Sequence, residues 1–389
     1  MRFSNAAIPL GLAWSSPFCR WQGPLAEMSS VELAVDVTAR ALGARGLRAD
    51  DITHYVLGTT VPQITSFYGV TTITRRLGAP RATGPTISQA CATSAACVQA
   101  AAAEVEFGSH EVTLVLTTDR TSNGPTLMFP EPSRPGGAPV TEHWVNDPMT
   151  CDPTTGQSML DTAENVAVEG GFTRAEIDEI ALLRYEQYGS VTERPYLVPA
   201  HVPGRKGAVT VVDADSGIHP TTAEGLAKLA PVKPAGVITY GSQTHPADGT
   251  AAVVVAGADQ ARELSGGRGI ARLRSVAFAR VAAALMPKAP VPAAYAALAD
   301  AGFDIADVDV VTTHNPFAVN DLWFARQTGF PVERMNPYGC SLVYGHPQGP
   351  TGARAITELI TALVDRGGGR GLFTGCAAGD TAGAVVVEV

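Results

Sequence analysis

Ser-Gln-Ala-Cys-Ala-Thr-Ser-Ala-Ala-Cys, from Ser88 to Cys97, puts a thiol at a junction. Upstream, Pro85 to Ser88 has the texture of a short strand. Downstream, an Ala-rich run of helical composition continues to about Phe107. Cys91 therefore falls where a strand turns into a helix, and the positive end of the helix macrodipole there favours a thiolate. A free cysteine in an apolar segment is ordinarily a small buried hydrophobe. The turn position and the small residues Ala92, Thr93 and Ser94 favour a nucleophile instead. Cys97, inside the helical run, reads as core, and Cys19, Cys151 and Cys340 take the same reading.

Outward from this junction, apolar β-branched runs alternate with Ala-rich helical runs, which predicts an α/β fold with buried sheets. Helices are predicted over 31–42, 92–107, 163–169, 174–188, 223–229, 291–301, 319–327 and 352–365. Strands are predicted over 53–58, 111–118, 251–256, 270–279, 308–313, 371–374 and 382–389, with a plausible first strand before Pro9. A weak internal repeat runs through this pattern. Asp248-Gly-Thr-Ala-Ala-Val-Val-Val-Ala reads like Asp380-Thr-Ala-Gly-Ala-Val-Val-Val-Glu, and the segment from Leu47 to Gly58 echoes that from Phe303 to Thr312. Any α/β chain repeats helix, acidic turn and Val-rich strand, but two echoes in the same order favour a duplicated half-fold. The halves are read as residues 1–118 with 245–265, and 266–389. Residues 119–244 are rich in Pro, Gly and Thr and are read as an inserted substrate-binding subdomain, since a structureless loop of that length is improbable inside a compact domain.

Composition bounds the function. The chain has 389 residues, 45% apolar and 17% charged, which suits a globular protein with a large core. A net charge of −9 without a basic stripe argues against nucleic acid as a partner. No apolar stretch has bilayer-spanning length, and the N-terminus makes a poor signal peptide. Six cysteines without a CxxC pair suggest neither a disulfide framework nor zinc, so a cytoplasmic, reducing location with no metal is expected.

Two C-terminal segments supply partners for Cys91. Tyr344-Gly-His-Pro-Gln-Gly-Pro-Thr-Gly carries His346 in a Gly-rich turn ahead of a helix. Such a turn holds the ring and leaves one nitrogen free to act as a base or to stabilise an oxyanion. Gly375-Cys-Ala-Ala-Gly-Asp carries Cys376 after a predicted strand. His314 ends the Val-rich strand in His-Asn-Pro-Phe, at the kind of strand end where open α/β sheets bind ligands. A capping role for His314 or Asn315 weighs about equally.

In order, these segments resemble the thiolase family over nearly the whole chain. Met159-Leu-Asp-Thr-Ala-Glu-Asn-Val-Ala is similar to its MGxTAENVA stretch. Asp215 with Thr221 to Pro231 resembles its LAKL helix, opened here by a predicted Thr221…Glu224 capping box. Thr239 to Ala251 stands where the family has TAGNASGxNDGAA. The resemblance implies a layered α-β-α-β-α fold of two duplicated halves and a loop domain. It also implies an acyl-CoA C-acyltransferase working by ping-pong, with coenzyme A and acyl-CoA as substrates and no permanently bound cofactor. By the same resemblance, Cys91 carries the acyl group, His346 activates it, and Cys376 exchanges the α-proton of the second acyl-CoA. Backbone N–H groups at Cys91 and near Ala378 form one oxyanion hole. His346, with a water held by the strand-end motif of His314 and Asn315, forms the other.

Three departures from the family pattern bear on substrate. His314 replaces an Asn, as in the sterol-carrier-protein thiolase branch. Ala377-Ala378-Gly379-Asp380 replaces a glycine run, which is expected to narrow the pocket or change its polarity. Ser242, Thr244 and His245 alter the stretch expected to hold pantetheine. For CoA, Ser158, Met159 and Thr244 are matched positions on the pantetheine path, and His201, Arg205 and Lys206 are candidates for the nucleotide phosphates, with a solvated turn as the plainer reading. Two other readings stand beside thiolysis. One is a decarboxylating ketosynthase using Cys91, His314 and His346, against which Cys376 speaks. The other is a subunit active only with a small OB-fold partner. A homodimer or tetramer is implied by resemblance.

Overall fold

The main framework follows the predicted alternation of strands and helices, in a computed structural model that describes residues 1–133, 135–219 and 221–389. Among the described residues, one mixed sheet of eleven strands runs through the molecule. Its order is Val310–His314, Arg370–Ala377, Thr381–Glu388, Ile270–Arg280, Ala6–Pro9, Ala247–Gly257, Val112–Arg120, His54–Gly58 and Thr86–Ile87. Two short strands, Ala13–Ser15 and Cys19–Arg20, pair with Ala247–Gly257 off this path.

The order reads as two similar arms meeting at Ala6–Pro9. In one arm His54–Gly58 runs parallel to Val112–Arg120, which pairs antiparallel with Ala247–Gly257. In the other, Val310–His314 runs parallel to Arg370–Ala377, which pairs antiparallel with Thr381–Glu388. The two sequence echoes fall on these corresponding strands.

Five layers result. Helices Thr93–Glu106 and Pro350–Asp365 lie against each other between the two arms. Ser30–Ala44 covers the outer face of the first arm, and Pro290–Ala301 that of the second. The cores follow this layering: Val98, Ala353, Ile356 and Leu359 belong to the central core, Val37 and Leu42 to one outer core, and Ala294 and Leu298 to the other. Strands covered on both faces read as continuous apolar runs; Val253, Val254 and Val255 are fully buried. Each such side chain contributes about 1.5–3 kcal/mol. The central helices are Ala-rich because they must approach closely: a Cβ on Gly352 would sit 2.8 Å from Cβ of Ser94.

The inserted region is richer in strands than its composition suggests. It contains the hairpins Thr126–Phe129/Val140–His143 and Ala200–Pro203/Val209–Val212, beside helices Met159–Gly170 and Arg174–Ser190. These strands are only four residues long and largely exposed or half-buried, too short for alternation to mark them, so the pattern missed them. Helix Ala223–Ala227 is capped by Thr222, whose side chain accepts from Gly225 N–H, and not by the predicted Thr221 box. Thr221 instead donates its hydroxyl to the His219 carbonyl.

Candidate active site

Cys91 sits between Thr86–Ile87 and Thr93–Glu106, and the residue before it, Ala90, has φ +45°. A non-glycine residue held in the left-handed region marks a turn fixed by its surroundings. The turn aims the thiol at the loop just ahead of the second central helix, Pro350–Asp365. Cys91 Sγ lies 3.1 Å from His346 Nε2 and 3.3 Å from Gln348 Oε1. His346 Nδ1 is 2.7 Å from Thr351 Oγ1. A ring that donates there from Nδ1–H presents the Nε2 lone pair to the thiol.

The other expected groups converge on the same point. His314 stacks on His346 with ring centroids 4.0 Å apart and planes 23° apart. Its Nδ1 is 2.9 Å from Ser341 Oγ, while its buried Nε2 has no protein partner among the described residues. Cys376 Sγ accepts from the Asn320 side-chain amide at 3.2 Å. The backbone N–H groups of Ala378 and Cys91 both reach Cys91 Sγ.

Electrostatics corrects one expectation. The helix terminus was expected to favour a thiolate at Cys91. Burial dominates instead and pushes the thiol up to about 12, against the opposing N–H groups of Ala378 and Cys91. A macrodipole supplies about 0.3–1 kcal/mol, less than the ~1.4 kcal/mol of one pKa unit. Burial likewise lowers His346 to about 3, against the hydrogen bond of Gln348. His314 is held well below its ordinary value by burial and by His346 beside it. Cys376 is raised by burial and then by its proximity to Cys91. The resting pair is therefore a neutral thiol beside a neutral imidazole.

Several residues that the sequence did not single out build the site. Asp119, at the end of its strand, accepts from Thr59 Oγ1 (2.9 Å), Thr60 N–H (2.8 Å), Val61 N–H (2.9 Å) and Gly349 N–H (2.8 Å). It thereby ties the loop after His54–Gly58 to the His346 turn. Asn320, Ser341, Thr351 and Gln348 orient the four principal groups. Thr351 lies in the His346 motif itself, five residues on; the other contacts join segments 27 or more residues apart, so only neighbouring motifs could have hinted at them.

The altered loop-domain stretch has a bracing role. Thr244 N–H donates to the Pro316 carbonyl at 2.7 Å, and Thr244 Oγ1 to the Ser341 carbonyl at 2.6 Å. His346 N–H donates to the His245 carbonyl at 2.9 Å. Gly345, at φ +88°, has no room for a Cβ beside the His245 ring. Asp380 does not change the polarity of the pocket: its carboxylate accepts from Ala284 N–H at 3.1 Å and Leu285 N–H at 3.0 Å. The Asn315 amide is drawn to Asp321 at 2.6 Å.

The remaining expected residues lie elsewhere. Ser158 caps helix Met159–Gly170 in a box with Asp161, and Met159 packs beneath it. Arg205 and Lys206 are exposed in a hairpin turn, and His201 N–H donates to Asp36 of the outer helix Ser30–Ala44. The structure does not bring these three cations to Cys91. Cys91, His314 and His346 offer ligand atoms within 4.8 Å of one another. Near-parallel stacked rings aim their in-plane lone pairs side by side, a poor fit to one tetrahedral ion.

Comparisons agree with this architecture. A family model for the thiolase N-terminal domain matches residues 12–259, and one for the thiolase C-terminal domain matches residues 268–389. An acetyl-CoA acetyltransferase of Chromobacterium violaceum is 30% identical over 375 residues, covering 94% of this chain and 95% of that protein. A beta-ketoadipyl-CoA thiolase of Pseudomonas knackmussii is 32% identical over 319 residues, covering 78% and 79%. The crystal structure of the Bacillus anthracis acetyl-CoA acetyltransferase superposes with a TM-score of 0.90 at 27% identity, covering 100% of this chain and 99% of that one.

Proposed function

The chain belongs to the thiolase family, and on that premise we propose that it moves acyl groups between coenzyme A and carbon through an acyl-Cys91 intermediate. It is an acyltransferase with CoA and acyl-CoA as substrates. The observation that carries the residue roles is the buried contact of Cys91 Sγ with His346 Nε2 at 3.1 Å, with Cys376 coupled to the same thiol.

In thiolysis, Cys91 Sγ attacks the 3-oxo carbon as its proton passes to His346 Nε2. Because both groups rest neutral, proton transfer accompanies attack and no thiolate accumulates. The Cys91 and Ala378 N–H groups take up the oxyanion that forms. Collapse breaks the bond between C2 and C3 and leaves an acyl-Cys91 thioester. The departing enolate of acetyl-CoA takes its proton from Cys376. The second CoA thiol then attacks the acyl-enzyme, passing its proton to Cys376; collapse breaks the bond between Cys91 Sγ and the acyl carbon, Cys91 takes its proton back from His346, and acyl-CoA leaves. His314 Nε2, buried and without a protein partner among the described residues, donates to the thioester oxygen directly or through water.

On the same reading, Ser158, Met159 and Thr244 border the pantetheine path, and His201, Arg205 and Lys206 receive the nucleotide phosphates. Residues 1–118 with 245–265 and residues 266–389 form the catalytic halves, with 119–244 as the loop domain. A cytoplasmic homodimer or tetramer is the assembly proposed. Among the described residues, no helix is long and apolar enough to cross a membrane.

Intact-mass measurement after incubation with acetyl-CoA or acetoacetyl-CoA tests the reading. The expected result is an acyl adduct on the wild type, none on Cys91→Ala, and its discharge by free CoA. The stacked Cys91, His346 and His314 set also favours a decarboxylating condensing enzyme. Turnover of a malonyl thioester that survives Cys376→Ala would establish that chemistry instead. Activity that needs co-purified protein would point to an OB-fold partner.

A further inference from the structure

A cavity of about 310 Å³ opens beside the nucleophile. Ala90, Gln348 and Ala378 border it on the catalytic side. Thr60, Val61 and Ser88 add to the wall, and most of the remainder comes from the segment of the inserted region that runs from Glu142 to Met149. Ser158, Met159 and Thr244, the residues proposed for pantetheine, do not line it. The space is thus free for the acyl group.

Resting on the thiolase reading, we infer that this cavity receives a bulky, largely apolar acyl group, an aryl-alkyl chain of benzylic or phenethyl size, carrying a hydrogen-bond donor at its far end for Glu142. Size is the first argument. The cavity holds roughly ten waters at about 30 Å³ each. A two-carbon acyl group would leave most of that space as water against apolar walls. Stiffness is the second. The Trp144 indole N–H donates to the Thr60 carbonyl at 2.6 Å, and Thr60 and Val61 N–H are held by buried Asp119. An indole fixed at both its edge and its neighbouring wall offers a flat, preorganised face that suits an aromatic ring. Chemistry at the far end is the third. Glu142 is half-buried in this apolar lining and has no hydrogen-bond or ion-pair partner among the described residues. A hydroxyl or ammonium on the ligand would pair with it, whereas a purely hydrocarbon chain would displace its water without offering a partner.

The test compares CoA-dependent cleavage of acetoacetyl-CoA, 3-oxo-5-phenylpentanoyl-CoA and its 4-hydroxyphenyl analogue by the full chain. Expected kcat/KM rises about tenfold or more from the first to the second, and again by about threefold to the third, in the range that pocket filling and a matched hydroxyl give. Trp144→Ala should shift the ratio of phenyl to acetoacetyl substrate downward by about tenfold, while Trp144→Phe largely keeps it. Glu142→Leu should erase the gain from the hydroxyl while keeping the phenyl preference. Acetoacetyl-CoA cleaved as well as both aryl substrates would overturn the inference and leave the thiolase reading standing. No Cys91-dependent cleavage of any of the three would overturn both.

Discussion

Two buried polar clusters flank the same helix, Pro350–Asp365, and they differ in how completely their hydrogen bonds are closed. Arg354 is fully buried, with Asp215 on its two terminal nitrogens at 2.6 and 2.8 Å and Glu358 on Nε at 2.9 Å. Tyr196 and Tyr344 hydroxyls complete Glu358, and Phe18 N–H and the Tyr188 hydroxyl complete Asp215. The guanidinium also lies 3.7 Å from the centre of the Tyr344 ring. One turn earlier, Thr351 orients His346, but His314 Nε2, Asn315 Oδ1 and Asn320 Oδ1 have no partners among the described residues. The closed cluster ties together the inserted region, the first strands and the central helix. The open one keeps acceptors and donors free for a substrate. Between these two clusters, unfilled hydrogen-bonding capacity marks the one that faces Cys91.

The difference can be broken from either side. Arg354→Leu should give the largest change in stability, about 3–5 kcal/mol, because Asp215 and Glu358 are left buried and unpaired. Urea unfolding measures it, and turnover per folded molecule should change far less. A large loss of turnover at unchanged stability would mean that the closed cluster is catalytic after all.

Asn320→Ala acts on the open cluster. It removes the one side-chain hydrogen bond to Cys376 among the described residues and should lower thiolysis by about 10²-fold, the scale of a positioned acid or base. Acylation of Cys91 by acetyl-CoA, in which Cys376 returns a proton to the leaving CoA, should slow as well, with stability changed by less than about 1 kcal/mol. Unchanged rates in both half-reactions would place Asn320 outside the mechanism.

A titration sharpens the electrostatic contrast. With Cys91 pushed up to about 12 and His346 lowered to about 3, the thiolate fraction is small at neutral pH. Alkylation of Cys91 by iodoacetamide should climb about tenfold per pH unit from pH 7 to 10, without a plateau. A plateau below pH 8 would reveal a thiolate–imidazolium pair.

The smallest effect is on acid stability. His314 and His346 are depressed by burial, so the unfolded chain binds more protons than the folded one below about 6.5. Their contribution to stability is present above that pH and declines as pH falls, by up to about 1.4 kcal/mol per unit for each histidine. Chemical denaturation at pH 7 and 5.5 measures it, and a flat profile would show that the rings are already accessible to protons.

Much of the framework was legible because its physics is local. The strand at Ala247–Gly257 and the helix at Pro350–Asp365 lie within a few residues of their predicted bounds, since long apolar runs and Ala-rich helical runs carry their own signal. The Thr221 cap failed by one residue, and the hairpin at Val140–His143 was missed, because a short polar strand carries no such pattern. Cys91, His346, Cys376 and His314 were legible through motifs in which the glycines and the reactive residue are neighbours.

What the chain order alone determined was the succession of strands and helices and the duplicated echo, and it supplied the candidates for the reactive groups. Each strand, helix and motif is written in residues a few positions apart. Tertiary structure alone decided the protonation of Cys91, the recruitment of Gln348 and Asn320, the turning of Asp380 toward Ala284, and the wall that Glu142 and Trp144 place beside the thiol. These depend on burial and on contacts between segments distant in sequence. Desolvation and long-range hydrogen bonds exist only once the layers have closed.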